Sequence, residues 1–413
     1  MERYSEYKDS GVEWLGEIPR HWELIKNKYL FSESDERNVF GEYKLLSFSK
    51  SKGIIPYDQN TDKESSAEDI RNYKVLHKGQ LLENRLQAWN GMFQDSSVEG
   101  CVSPDYSVFN LIYSNANIKY YSYLFKTDLY IAQWANASKG IGSGFNRLYT
   151  PQFGNIVSLV PPIEEQNAIV AYLDKVTSKI DAAIAQQQKM IELLNERKQI
   201  IINNAVTKGL DPTAKMKPSG IPWLGNIPAH WEIIKYRYLF YYLDNLRQPI
   251  TADKRSRNNP QYDYYGASGV IDKIDYYNVD DTVLLIGEDG ANLLLRNLPL
   301  VYKAKGRFWV NNHAHILKPK RDDYDYLAYA MEAADYTLFI TGSAQPKLSQ
   351  SNLNCVKLPI PPIEEQHTIV EYLKKRLEKI DDAINEKNKI LGLLQERKQI
   401  IINEVVTGKV KVI

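Results

Sequence analysis

The sequence lacks several features that mark common protein classes. No apolar run among its 413 residues reaches the ~18 residues that a membrane-spanning helix needs. The N-terminal MERYSEYKDS carries charges where a signal peptide would be apolar. Only two cysteines are present, Cys101 and Cys355, which excludes a disulfide framework and fits a reducing compartment. We therefore expect a cytoplasmic protein that does not bind a membrane.

The chain also lacks an excess of either charge. It has 52 Lys+Arg against 51 Asp+Glu, and the net charges of residues 1–160, 161–209, 210–360 and 361–413 are −2, 0, +2 and +1. A small self-sufficient nucleic-acid binder would show a clear positive excess, so that class is excluded. A binding surface confined to a few loops would not be visible in these counts.

Motifs for catalysis are missing as well. The sequence contains no GxxxxGK[ST] phosphate loop, and the glycine-rich GIGSG at 140–144 follows a helical stretch rather than a strand. His313 and His315 alternate on a predicted strand, but neither cysteine is placed to complete a zinc set. We expect no cofactor, no metal and no catalytic residue.

What the chain does contain is a tandem repeat. Residues 161–207, which begin PPIEEQNAIVAYL, align with 361–407, PPIEEQHTIVEYL, at a constant offset of 200 with 29 identities in 47 positions. A second match relates SGVEWLGEIPRHWELIKNKYLF at 10–31 to SGIPWLGNIPAHWEIIKYRYLF at 219–240, at an offset of 209. Each half is therefore a globular segment followed by a helical one.

The helical segments show the heptad spacing of helices packed lengthwise on one another. Pro161 and Pro162 suit a helix start, and Glu164 and Glu165 place negative charge in the first turn. The predicted helix-pairing residues are Ile169, Leu173, Val176, Ile180 and Leu194 in the first copy and Ile369, Leu373, Ile380, Ile390 and Leu394 in the second.

The pairing of these helices follows from their length. About 43 residues of helix span roughly 65 Å at about 1.5 Å per residue. The second helix can bury its seam most simply by running back antiparallel along the first, giving a rod with a globular domain at each end and a pseudo-twofold axis. Pairing between two molecules would satisfy the same seam.

The globular segments are predicted to be α+β domains. They carry short β-rich runs such as TVLLIG at 282–287, and one helix is predicted near the end of each, over 117–137 and 324–340. Together with the helices, this predicts a first domain at 1–160, a central helix at 161–209, a second domain at 210–360 and a C-terminal helix at 361–413. The interiors of the two domains differ, which suggests that they read two different things.

Two loops upstream of the helices recur in register and are candidates for DNA contact. The loop residues of GSGFNRLYTPQ and GSAQPKLSQSN combine small residues, an amide and one cation, which suit phosphate and base-edge contacts. The same composition also makes plain turns. The candidates are Gly142, Ser143, Asn146, Arg147, Tyr149 and Gln152 in the first loop, and Ser343, Gln345 and Lys347 in the second.

Polar and cationic residues of two interior segments are further candidates for DNA contact. The alternative for each is an ordinary surface residue. They are Asn84, Arg85, Gln87, Trp89 and Asn90 in the first domain, and Lys254, Arg255, Arg257, Asn258, Tyr265, Asn292 and Arg296 in the second.

The order of variable domain, PPIEEQ-led helix, second variable domain and PPIEEQ-led helix closely resembles the specificity subunit of type I restriction-modification systems. The openings SGVEWLGEIPRHWE and SGIPWLGNIPAHWE resemble that family too. The resemblance implies that each domain recognises one half of a bipartite double-stranded DNA target. It also implies that the helices form a spacer and help to dock two methyltransferase subunits, which methylate adenine, and that motor-endonuclease subunits complete the complex.

The resemblance further implies a subunit without cofactor or reaction of its own. Because the two domains differ, we expect two different half-sites and hence an asymmetric target. Two other interpretations stay open on the sequence: a DNA methyltransferase with degenerate motifs, and a coiled-coil scaffold that holds two protein ligands without DNA.

Overall fold

A computed structural model of the chain describes residues 2–50, 52–57, 69–140, 146–255, 260–342 and 345–412. The chain divides into two compact units. Unit 1 comprises Met1–Gln187 with Lys389–Ile413, and unit 2 comprises Gln188–Asn388. Each unit therefore contains a globular segment and parts of two long helices.

The globular segment of unit 1 is made of short strands, most of them antiparallel neighbours. The strands are β1 (Tyr7–Asp9), β2 (Glu17–Pro19), β3 (Glu23–Lys26), β4 (Phe31–Ser34), β5 (Leu46–Ser49), β6 (Gly53–Pro56), β7 (Lys74–Leu76), β8 (Leu81–Asn84), β9 (Phe93–Asp95), β10 (Gly100–Val102), β11 (Tyr106–Leu111) and β12 (Val157–Val160). A four-stranded sheet in the order β4-β11-β8-β9 is its centre, and the buried faces of β8 and β11 contribute to its core.

The described residues of the first half of the chain form five α-helices: α1 (Asn27–Leu30), α2 (Ile118–Leu124), α3 (Asp128–Ala137), α4 (Thr150–Asn155) and the long α5 (Ile163–Lys208). The single helix predicted over 117–137 is broken between α2 and α3. Thr127 is extended there, and the Trp134 indole donates a hydrogen bond of 3.0 Å to the carbonyl of Phe125. The indole thus satisfies a backbone carbonyl at the break between the helices. The helical periodicity of the sequence does not reveal this contact.

Unit 2 contains a larger sheet. Its strands are β13 (Met216–Pro218), β14 (Asn226–Pro228), β15 (Glu232–Lys235), β16 (Phe240–Tyr242), β17 (Tyr262–Gly266), β18 (Gly269–Ile274), β19 (Val279–Gly287), β20 (Val301–Val310), β21 (Ala314–Pro319) and β22 (Lys357–Ile360). Six of them form one sheet in the order β16-β21-β19-β20-β17-β18. The pair β17 and β20 is parallel, and the other neighbours are antiparallel.

The helices of the second half are α6 (Tyr236–Leu239), α7 (Asn292–Leu295), α8 (Tyr324–Ala333), α9 (Gln350–Leu353) and the long α10 (Ile363–Val406). The helix predicted over 324–340 ends at Ala333, and a short 3-10 turn at Thr337–Phe339 follows. Within the described part of unit 2, that turn occupies the chain position that α3 has in unit 1. With strands and helices mixed in both segments, the predicted α+β class is confirmed.

The repeated PPIEEQ motif joins each globular segment to its long helix through one buried glutamine. Gln166 donates to the carbonyl of Pro161 at 2.7 Å and accepts from the backbone of Asn117 at 2.8 Å. Gln366 does the same with Pro361 at 3.0 Å and with the backbone of Asp323 at 3.0 Å. The glutamine thus satisfies backbone groups just before the long helix and at the N-terminus of a second helix, α2 in unit 1 and α8 in unit 2.

The long helices are antiparallel in both units. In unit 1 the ammonium of Lys398 contacts Asp181 at 2.6 Å, and in unit 2 that of Lys198 contacts Asp381 at 2.7 Å. The side-chain hydroxyl of Tyr120, which is close to the start of α5, donates to the carbonyl of Val406 at the end of α10. Low residue numbers of α5 therefore meet high residue numbers of α10, which is the antiparallel pairing that the length of the helices predicts.

The structure places the predicted helix-pairing residues at different depths. Ile169, Leu173, Ile180, Ile369, Leu373 and Ile380 are buried, whereas Val176, Leu194, Ile390 and Leu394 are half-buried. Thr177 is buried beside Val176 because its hydroxyl donates to the Leu173 carbonyl at 2.7 Å, which removes the cost of burying it. Polar residues can therefore take seam positions that apolar spacing assigns to a neighbour.

Glu83 is an unusual residue of the unit 1 sheet because neither of its carboxylate oxygens has a hydrogen-bond partner among the described residues. It lies fully buried on β8, and burial raises its pKa from 4.5 to about 8. The carboxyl is therefore protonated in the folded chain at neutral pH.

This burial predicts a pH-dependent stability. Between pH 4.5 and about 8 the folded chain holds a proton on Glu83 that the unfolded chain has released, so stability falls as pH rises through that window. One such group contributes a slope of about 1.4 kcal/mol per pH unit. The Glu83→Gln variant should lack this slope and be more stable than the wild type at pH 8, as measured by urea unfolding across that range.

The matched control is Glu33→Gln. The Glu33 carboxylate accepts hydrogen bonds from Lys74 and Thr150, so this variant should lose stability at pH 8 rather than gain it. If Glu83→Gln unfolds with the same pH slope as the wild type, the buried carboxyl is not the source of the effect.

Candidate nucleic-acid interface

The two Gly-Ser loops, 142–152 in unit 1 and 342–352 in unit 2, are each held by a pair of backbone hydrogen bonds between residues on either side of the Gly-Ser dipeptide. Lys139 and Arg147 exchange bonds of 2.9 and 2.8 Å, and Thr341 and Lys347 exchange bonds of the same lengths. Gly142, Ser143 and Ser343 lie outside the described residues. In the described residues, both loops therefore have the same pair of backbone hydrogen bonds, although their side chains differ.

A second backbone bond fixes each loop to the end of a central strand. The N–H of Leu148 donates to the carbonyl of Arg85 at 3.1 Å, and the N–H of Leu348 donates to that of Glu288 at 2.7 Å. Both leucine side chains are fully buried. Arg85 directly follows β8 and Glu288 directly follows β19, so the two loops are anchored at equivalent places.

In unit 1 this anchor brings together two segments that the sequence nominates separately. Arg147 and Tyr149 from the loop lie next to the turn after β8, where Gln87 and Trp89 are exposed. The carbonyl of Leu86 accepts from the Trp89 indole at 2.9 Å, which holds the ring in place. An exposed tryptophan, a tyrosine, an amide and a cation are therefore presented by adjoining segments.

Arg85 itself belongs to an ion-pair cluster in which Arg85 and Glu33 are half-buried and Lys74 is buried. Its guanidinium donates to Glu33 at 2.5 Å and to the hydroxyl of Ser107 at 2.6 Å, and the ammonium of Lys74 contacts Glu33 at 2.8 Å. Burial alone would raise the pKa of Glu33, but hydrogen bonds from Lys74 and Thr150 and the nearby positive charges lower it. These hydrogen bonds and ion pairs hold the Arg85 side chain in place at the end of β8.

The loop cation of unit 2 also has a carboxylate partner. Lys347 lies 3.1 Å from Glu288, whose other oxygen accepts a short hydrogen bond from Arg247. The pKa of Glu288 is lowered by these two cations against the opposing effect of burial. The buried His315 lies between Asp244, at 2.6 Å, and the carbonyl of Leu348, at 2.8 Å. In unit 1, Arg147 is 3.6 Å from Asp105, which is exposed.

Sequence reasoning missed the residues that surround Lys347. Asp289 and His313 contact each other at 2.8 Å, and the backbone of Glu288 donates to the carbonyl of His313 at 2.8 Å. Gly287 is required there, because a Cβ atom would lie 2.6 Å from the carbonyl oxygen of Ala267. The available signal was positional: the residues directly after a buried strand, in both repeats, form this surface.

Several other candidates use their polar groups within their own unit. Asn84 is buried and accepts from the backbone of Leu86, and Asn90 accepts from Lys50 at 3.0 Å. Asn292 bonds to the backbone of Leu298 through both amide atoms. Gln152 is half-buried, and its amide oxygen has no hydrogen-bond partner among the described residues.

The cationic candidates of unit 2 are spread over its surface. The Arg255 guanidinium lies 4.3 Å from the centre of the Tyr264 ring and 3.2 Å from Asp272. Arg296, with a left-handed φ of 50°, donates to the carbonyls of Glu332 and Ala334, beside a groove of about 1080 Å³ lined by α5, α8 and α10. The structure therefore does not bring Arg296 to the loop.

The remaining candidates have simple surroundings. Asn146, Gln345 and Lys254 are exposed, Tyr265 is half-buried against Phe308, and Arg257 and Asn258 lie outside the described residues. No group of three or more histidine, cysteine, aspartate or glutamate residues that could hold a metal ion occurs in the described part of the chain. Within the same ranges, none of the helices has the length and apolarity to cross a membrane.

Several proteins of known description are similar to this chain in sequence. The chain is 26% identical to the MjaVIII type I restriction enzyme specificity subunit of Methanocaldococcus jannaschii over 310 residues, which cover 66% of each chain. It is 24% identical to the MjaX specificity subunit of the same organism over 436 aligned positions, covering 96% of each. A match to the S.HindORF215P specificity subunit of Haemophilus influenzae has 31% identity but covers 32% of this chain and 33% of that one.

The fold has a solved counterpart. A chain from a structure of a type I R-M system, described for its complex assembly and conformational transition, aligns with a TM-score of 0.66 at 14% identity, over 94% of this chain and 98% of that chain. The sequence profile of the type I restriction modification DNA specificity domain matches residues 23–193 and 228–391, most of both repeats. The chain therefore belongs to the family of type I restriction-modification DNA specificity proteins.

Proposed function

We propose that this chain is the DNA sequence-specificity subunit of a type I restriction-modification complex and that each unit reads one half of a bipartite target. The observation that carries the proposal is the Gly-Ser loop anchored at the same strand end in both units, by Leu148 on Arg85 and by Leu348 on Glu288. An identical anchor with different surroundings suits two modules that bind the same kind of polymer but distinguish different sequences.

The target should be asymmetric. The strand-end residue is Arg85 in one unit and Glu288 in the other, and the exposed residues nearby include Trp89 in the first and His313 in the second. Because base edges are read by such side chains, two different sets imply two different half-sites. In this proposal the recognition domains are residues 1–160 and 210–360, and the spacer helices are 161–209 and 361–413.

The loop cations supply a test of DNA contact. In the chain assembled with its partner subunits, Arg147→Ala and Lys347→Ala should weaken DNA binding and lower the salt slope by about one unit each. Asp105→Asn should act in the opposite direction, because it removes the carboxylate that lies 3.6 Å from Arg147. Fluorescence anisotropy at a series of salt concentrations measures both effects.

Asp105→Asn serves as the internal control in this series, since it changes the charge at the same place without removing the cation. Unchanged affinity and salt slope in all three variants would show that the loops do not touch DNA.

The long helices would set the distance between the half-sites. Seven residues inserted in each helix, after Gln187 and after Asn388, lengthen it by about 10.5 Å while preserving the seam. The spacer in the target should then grow by roughly three base pairs of about 3.4 Å. Single-molecule methylome sequencing of cells with the wild-type gene, the insertion variant and neither gene measures this.

The same experiment tests the function itself. Deleting the gene should remove one bipartite methyladenine motif, and the wild-type gene should restore it. If no motif depends on the gene, the proposed function is wrong; if the motif is lost but the insertion leaves the spacer unchanged, only the role of the helices is.

We infer that methyltransferase subunits dock on the helices and carry out the chemistry, with motor-endonuclease subunits added in the full complex. Four apolar residues support docking because they are exposed at matching positions of the two helices: Leu193 and Ile200 on α5, and Leu393 and Ile400 on α10. An exposed arginine, Arg197 or Arg397, lies between the members of each pair. Apolar residues around an arginine are typical of a protein interface.

Introducing a negative charge on this face tests the docking. Leu193→Glu and Leu393→Glu should each weaken one of two bound methyltransferase subunits by about tenfold or more, measured by titration calorimetry. Asn204→Glu is the control, because the second repeat already has Glu404 at that position. Two subunits bound with unchanged affinity in both leucine variants would remove this face from the interface.

A further inference from the structure

An exposed pair of neighbouring residues, a cation followed by a tyrosine, recurs in both units, although the surfaces around the loops differ. Tyr29 on α1 and Tyr238 on α6 are both 62% exposed. The ammonium of Lys28 lies 5.0 Å from the centre of the Tyr29 ring, and the guanidinium of Arg237 lies 5.1 Å from that of Tyr238. We call these two pairs the cation-tyrosine sites.

The fold holds the two sites in the same way. Both occupy a helix of four residues between a strand of a two-stranded sheet and the edge strand of the larger sheet. Each helix is fixed by the fully buried leucine that follows the tyrosine, Leu30 or Leu239. The backbone N–H of Asn27 donates to the carbonyl of Ile156, and that of Tyr236 donates to the equivalent carbonyl of Val356. The tyrosines themselves contribute nothing to either core.

Neither cation is used inside its unit. Among the described residues, the side chains of Lys28 and Arg237 form no ion pair with a carboxylate. They differ in this from the loop cations Arg147 and Lys347, which have one. Each site therefore offers an uncompensated positive charge stacked on an exposed ring, a combination that suits a carboxylate and a flat apolar contact on a partner.

The position of the sites separates them from the loops. In unit 1, β4 and β8 both run antiparallel to β11, so the first residue of β4, Phe31, is at the opposite end of the sheet from Asn84. In unit 2, β16 begins opposite Pro319, whereas the loop anchor follows Gly287 opposite Ala314. The sites directly precede β4 and β16, so each lies at the end of the sheet opposite to the end where the Gly-Ser loop is anchored.

We propose that the cation-tyrosine sites are docking points for two copies of one protein partner, the methyltransferase subunit, which would present an acidic surface to each. This rests on the proposed function and adds a second contact to the helix face. A surface that meets the same partner twice must stay the same in both repeats, whereas a surface that reads DNA bases must differ between half-sites. DNA phosphates are also common to both halves, but they would be met at the loop end.

The test uses the full chain and the methyltransferase subunit of its own complex. The variants Lys28→Glu/Tyr29→Ala and Arg237→Glu/Tyr238→Ala should each leave two subunits bound, one with wild-type affinity and one weakened about tenfold or more, with an altered salt dependence. Titration calorimetry resolves the two classes. Thermal unfolding should be unchanged, because the altered side chains are exposed.

Tyr241→Ala is the matched control. Tyr241 is an exposed tyrosine of unit 2 with the Lys320 ammonium 4.9 Å from its ring centre, but the equivalent position in unit 1 is Ser32. Because this pair is not repeated, its removal should leave both subunits bound as in the wild type.

Three outcomes would overturn the proposal. Wild-type binding of both subunits by both double variants would remove the sites from the interface. Intact subunit binding with weaker binding to a duplex of arbitrary sequence, and a smaller salt slope, would assign the sites to DNA phosphates. Loss of self-association of the chain would assign them to a second copy. If the wild-type chain binds no methyltransferase subunit, the proposed function is wrong as well. This result comes from the wild-type titration alone, so the two failures can be told apart.

Discussion

Each globular core is completed by the end of the long helix that belongs to the other repeat. In unit 1, Ile402, Val405 and Val406 from α10 pack in one cluster with Trp22 and Leu173. In unit 2, α5 supplies the equivalent residues, among them Ile202 and Val206, to a cluster that contains Trp231 and Leu373. A buried aliphatic side chain contributes about 1.5–3 kcal/mol, so neither core is complete without residues from both halves of the chain. The positions of the loops, the strands and the repeated surfaces depend on this exchange.

The near-neutral charge of the chain has a local explanation. Cations at the loop ends have carboxylate neighbours: Arg85 has Glu33, Arg147 has Asp105 and Lys347 has Glu288. Partners of this kind hold long side chains in one orientation, and they lower the positive potential that would draw the protein to DNA of any sequence. A subunit built this way would distinguish DNA sequences well but bind DNA weakly by itself, and most of the DNA affinity would come from the other subunits of the complex.

The sequence was sufficient for the features that repeat at short range. Heptads predicted both long helices, the length of the helices predicted their antiparallel pairing, and the offset of 200 placed Arg147 and Lys347 at equivalent positions. It was insufficient for pairs brought together by the fold, such as Glu33 with Arg85, 52 residues apart. For the same reason Arg296, a cation in a polar loop, could not be distinguished in advance from one that faces DNA. Its partners are backbone carbonyl groups at the end of α8. Every residue has a backbone carbonyl, so the sequence cannot show which ones Arg296 contacts.

The anchor of each Gly-Ser loop consists of backbone hydrogen bonds and one buried leucine. Leu148, Leu348 and Gly342 are constrained, because both leucines are buried and a Cβ atom at Gly342 would lie 2.4 Å from the carbonyl oxygen of Gln345. Exposed loop residues such as Asn146 and Gln345 carry no such constraint, so their substitution should leave the folding free energy of the unit almost unchanged. Mutations there can therefore accumulate without the stability cost that limits change in most binding sites. If the loops contact DNA as proposed, the sequence preference of each unit can change while its fold stays the same.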